Sequence, residues 1–100
     1  MLDTNQVRKL IEERSNHDMN DPKIYEYWDR ITELLSINVI ETINYLNSCS
    51  EKEIYWISEI FEDISAKVSS IDYIECLKKL DKKYPNLMLS KDIKIAEEWM

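Results

Sequence analysis

One hundred residues with 44% apolar and 33% charged side chains make one globular domain, residues 1–100, large enough for a single core. Twenty acidic against thirteen basic residues leave a net charge of −7, which repels nucleic acid and anionic membrane and favours a cationic partner. Glycine, which supplies positive φ at least cost, is absent, so phosphate-cradling loops and tight hairpin turns are not expected.

The first helix is expected to begin at Asp3 or Thr4, with Val7, Leu10 and Ile11 on its inner side and Arg8, Glu12 and Glu13 outside. A polar link over residues 15–20 leads to Asp21-Pro22, an N-cap followed by proline at the first helical position. On this second helix Ile24, Tyr27, Trp28, Ile31, Leu34 and Leu35 share a broad stripe, while Tyr25, Glu26, Asp29 and Glu33 point elsewhere. Asn38 with Glu41 has capping-box spacing and starts a third helix through Val39, Ile43 and Leu46.

Ser50 with Glu53 forms a second capping box, and Ile54, Ile57, Phe61, Ile64 and Val68 behind it describe one continuous fourth helix. Ser69 and Ser70 interrupt it. Tyr73, Ile74, Leu77 and Leu80 define a fifth helix that Pro85 stops, and the lysines at 78, 79, 82 and 83 suit its C-terminal dipole. A last helix from Ser90 carries Ile93, Ala96 and Trp99 on its apolar stripe. The fold class is all-α: a compact array or bundle of about six short amphipathic helices, with HEAT-like stacked pairs as the alternative arrangement.

Catalytic and metal chemistry find little to use. His17 is the single histidine, and the prior for its loop, Asp18 and Asp21 included, is a polar connection rather than a ligand set. Cys49 and Cys76 lack metal-knuckle spacing and sit in apolar helical surroundings, as buried reduced thiols do. No nucleotide loop, HExxH motif or nucleophile elbow occurs, so a binding protein without catalytic residues, cofactor or metal is expected. The chain opens on no apolar leader and holds no run of membrane-spanning length, which gives a cytoplasmic expectation.

The acids are unevenly placed. Between Glu51 and Asp63 five acidic residues face one lysine, a net of −4, so more than half the net charge falls on the fourth helix. At about 100° per residue, Tyr55, Glu59 and Glu62 lie opposite the apolar seam, with Trp56 and Asp63 on its flank. Aromatic area ringed by carboxylates suits Arg or Lys on a partner. The second helix offers a weaker face of the same kind, with Tyr25, Asp29 and Glu33 partly neutralised by Arg30. Tyr55, Trp56, Glu59, Glu62, Asp63, Tyr25, Asp29 and Glu33 are therefore the candidate partner-binding residues.

Residues 41–100, reading ETINYLNSCSEKEIYWISEIFEDIS, then YIECLKKLDKKYP, then LSKDIKIAEEWM, resemble a group of small all-helical bacterial immunity proteins. These are encoded beside polymorphic toxins, including those of contact-dependent growth inhibition systems. The resemblance implies a cytoplasmic protein that neutralises a cognate toxin domain, in many cases a nuclease with a basic cleft, by covering its active site or substrate approach. A helical adaptor or regulatory interaction domain is the second reading, and a small enzyme the third.

Overall fold

The computed structural model of the chain describes residues 2–100. Asp3 opens α1 (Thr4–Ser15) by accepting from the Gln6 N–H at 3.1 Å, as a carboxylate does for an orphan amide at a helix start. Asp21 plays a similar part for α2 (Lys23–Leu35), accepting from the Lys23 N–H at 2.9 Å with Pro22 between them. Asn38 caps α3 (Val39–Ser48), and Ser50 and Glu53 close the capping box of α4 (Glu51–Ile57) as their spacing predicts. The remaining helices are α5 (Phe61–Val68), α6 (Ile71–Lys83) and α7 (Ser90–Trp99), with 3-10 turns at Ser58–Ile60 and Pro85–Leu87. No strand occurs among the described residues, so the fold is all-α.

The single fourth helix expected from its seam is two helices. Ser58–Ile60 tightens into a 3-10 turn, and Ile60, at φ −120° and ψ 14°, leaves the helical region. Ser58 Oγ donates back to the Tyr55 carbonyl, competing with the regular backbone ladder. A 3-10 turn advances 120° per residue where an α-helix advances 100°, so three such residues rotate everything downstream by about 60°. Ile54, Ile57, Ile60, Phe61 and Ile64 are all buried across this break.

Because the chain has no glycine, two breaks place other residues in the left-handed region: Ser69 at φ 43° after α5 and Met88 at φ 54° after the Pro85 turn. Each costs about 1–2 kcal/mol that glycine would not. Ser69 N–H recovers part of this by bonding the Ser65 carbonyl at 2.9 Å. Ser70 then caps α6 through the Tyr73 N–H.

The helices pack as an array measuring 31 × 31 × 24 Å. α7 lies chiefly along α5, where Ser65 and Ala96 are both fully buried and Ser65 Oγ donates to the Ala96 carbonyl at 2.6 Å. Two small residues at the crossing let the backbones come that close. Tyr73, fully buried on α6, donates its hydroxyl to the Phe61 carbonyl at 3.0 Å and so anchors the start of α5. α1 packs on α2 and α4, and α2 in turn reaches α5. That last contact sets the two acidic faces side by side.

Candidate functional site

A groove of about 550 Å³ runs between α2 and α5 and is closed at one end by the tip of α7. α2 contributes Asp29 and Glu33, one turn apart, with Thr32 between them; α5 contributes Glu62, Asp63, Ala66 and Lys67; α7 contributes Trp99. Four carboxylates thus face one lysine. The Asp63 carboxyl titrates above the ordinary aspartate range, first because burial disfavours its charge and then because Asp29 repels it, with Lys67 opposing. Glu62 also lines a smaller adjoining hollow with Ser58, Glu59, Asp92 and Ile95, and burial raises the Asp92 carboxyl there as well.

The structure therefore unites Asp29, Glu33, Glu62 and Asp63, which the sequence places on two separate helices. Tyr25 and Tyr55 are exposed as expected but do not line this groove. Tyr25 meets Trp28 edge-on at 5.4 Å, and Tyr55 meets Trp56 at 5.0 Å and 74°.

Glu59 requires correction as an outer-face residue, and Trp56, on the flank, is drawn into the same cluster. The Glu59 side chain is only 18% exposed and takes a two-pronged bond from Arg14, Nε to Oε1 at 2.9 Å and Nη2 to Oε2 at 2.7 Å. Trp28 Nε1 donates to the same Oε1 at 3.0 Å. The Arg14 guanidinium lies 4.8 Å from the Trp56 ring centre and 5.9 Å from that of Trp28, so Trp56 is a partly buried wall of this cluster. The expectation took the side opposite the seam as open to solvent; Arg14 of α1 and Trp28 of α2 reach Glu59 there and cover it. With both oxygens engaged, Glu59 has little left for a partner.

Arg14 itself escaped the sequence reading, although a signal was there. Val7, Leu10, Ile11 and Arg14 have the i, i+3, i+4, i+7 spacing of one helix face, and all four are buried. A cation on an apolar stripe demands a buried acid. Trp99 was also misplaced: it continues the Ile93–Ala96 stripe by spacing, but the core ends before it and it is 61% exposed at the groove.

His17 holds the polar corner after α1, its Nδ1 bonded to the Glu13 carbonyl oxygen at 2.7 Å and its ring 5.1 Å from Tyr27. Both cysteines are buried and free; burial pushes the Cys49 thiol up to about 12 and raises Cys76 too, so neither is an activated thiolate. Among the described residues no three His, Cys, Asp or Glu side chains come together as a metal-holding group, and no helix is long and apolar enough to cross a membrane. Compared with protein families, curated proteins and solved structures, the chain shows no match.

Proposed function

We propose that this protein is a cytoplasmic immunity protein that binds a cognate bacterial toxin domain, a nuclease with a basic substrate cleft, and neutralises it by covering that cleft. The observation that carries the reading is the groove between α2 and α5, where four carboxylates from two helices face a single lysine. Its charge is complementary to a cleft built to hold phosphates, and opposite patches both speed encounter and fix register. Trp99, exposed at the groove, supplies the aromatic area on which binding energy concentrates. The resemblance of residues 41–100 to small helical immunity proteins supports the same reading, and the surface acts by occlusion, without chemistry of its own.

Co-expression with the product of the adjacent gene tests it directly. Wild-type protein is expected to co-purify with that product and protect cells from it, while the triple variant Asp29→Lys, Glu62→Lys, Asp63→Lys does neither. A matched triple reversal at exposed Glu12, Glu51 and Glu75 is expected to bind and protect normally. Full protection by the groove variant would reject the groove as the interface.

A further inference from the structure

The groove carries more chemical detail than its charge. Thr32 lines it while being only 4% exposed. The Thr32 carbonyl accepts from Ser36 Oγ at 2.6 Å, but its hydroxyl has no hydrogen-bond partner among the described residues. Unlike the Trp56 indole N–H, it is not a fully enclosed polar atom without a partner, and Thr32 is part of the groove wall. A hydroxyl in a groove wall without a protein partner is a hydrogen-bonding position open to an incoming group.

Three features select that group. The four carboxylates require a cation, yet they do not gather in threes as a metal ion requires. They stand instead on opposite walls, Asp29 and Glu33 on α2 and Glu62 and Asp63 on α5. A lysine ammonium is a compact point charge, whereas a guanidinium spreads five N–H donors around a plane and meets carboxylates on two sides at once. Trp99 adds an exposed indole at the end of the groove, and a guanidinium lies flat on such a ring more readily than an ammonium does.

We propose that the groove is a socket for an arginine side chain presented by the protein partner, gripped between the α2 and α5 carboxylates, bonded to the Thr32 hydroxyl and stacked on Trp99. This rests on the reading of the α2–α5 face as the partner-binding surface. Lys67 leaves three uncompensated negative charges, so the arginine comes from a basic segment and not from an isolated residue.

The test uses the full-length ¹⁵N-labelled protein and two blocked dipeptides, Ac-Arg-Arg-NH2 and Ac-Lys-Lys-NH2, titrated at equal ionic strength while the Trp99 indole N–H resonance is followed. The arginine probe is expected to give a saturable shift at Trp99 and the groove amides, at least about threefold tighter than the lysine probe. Thr32→Val, which preserves shape, is expected to weaken the arginine probe about fivefold, the worth of one hydrogen bond, with an unchanged melting temperature. Equal affinity for the two probes, or no saturation at Trp99, overturns the socket. The two proposals fail separately: if groove charge reversal abolishes toxin binding while the probes show no arginine preference, the interface stands and the socket falls. If the arginine probe binds but charge reversal leaves toxin binding intact, the interface falls and the partner-arginine assignment falls with it.

Discussion

Glu59 and Asp63 stand one helical turn apart in sequence and serve opposite ends. Glu59 has both oxygens occupied by Arg14, a further bond from Trp28, and aromatic rings flanking the pair, so its charge is consumed in joining α1, α2 and the turn before α5. Asp63 has the charge of Asp29 near it and one lysine to offset four acids, so its charge remains available. A carboxylate whose counter-charge lies within the fold builds the fold. One whose counter-charge is missing points to what the fold binds.

The largest effect is expected where the neutralised pair is broken. Glu59→Lys sets a cation against the buried Arg14 and is expected to cost about 3 kcal/mol, lowering the thermal midpoint by more than about 10 °C in a circular-dichroism melt. Asp63→Lys, at an exposed position, is expected to stay within roughly 0.5 kcal/mol of wild type. Similar losses for both would erase the contrast between clamp and groove.

Reversal of the groove acids acts instead on association. Stopped-flow mixing with the proposed toxin partner is expected to show an on-rate about 10- to 100-fold slower at low salt, the difference shrinking as salt screens the field. An unchanged on-rate would mean that the uncompensated charge steers nothing. Trp28→Phe keeps an aromatic side chain but removes the indole donor to Glu59 and part of the bicycle, so it is expected to cost about 1–3 kcal/mol in urea unfolding and leave affinity for the partner alone.

The smallest effect is in proton binding. The folded state raises the Asp63 carboxyl, so it holds that proton more tightly than the unfolded chain, and the contribution of Asp63 improves as pH falls through the raised value. Glu53 has the opposite sign. Burial alone would raise it, but bonds from the Ser50 N–H and from Arg8 outweigh burial and lower it, so its stabilisation is present above the ordinary glutamate range and lost as pH falls through the folded value. Carboxyl ¹³C titration is expected to show Asp63 returning toward the ordinary range in Asp29→Asn. No change there would separate the two walls of the groove electrostatically.

Most helix boundaries were readable because they depend on neighbours in sequence. Ser50 and Glu53 satisfy each other three residues apart, Asn38 caps α3, and the Val7–Leu10–Ile11 spacing marks a buried face whatever lies opposite. The site was readable in part: Asp29, Glu33, Glu62 and Asp63 stand out as acids off the apolar stripes. Their meeting in one groove depends on how α2 crosses α5, and no local pattern encodes that crossing.

The sequence by itself determined the all-α class, the caps and the acidic excess, because propensity, capping and helical period act within a few residues. The break at Ser58–Ile60 appeared only in the structure, and tertiary packing decided the engagement of Glu59 by Arg14 and the arrival of Trp99 at the groove. The last two join residues more than thirty positions apart, and which charges are cancelled and which stay open is settled only when such partners meet.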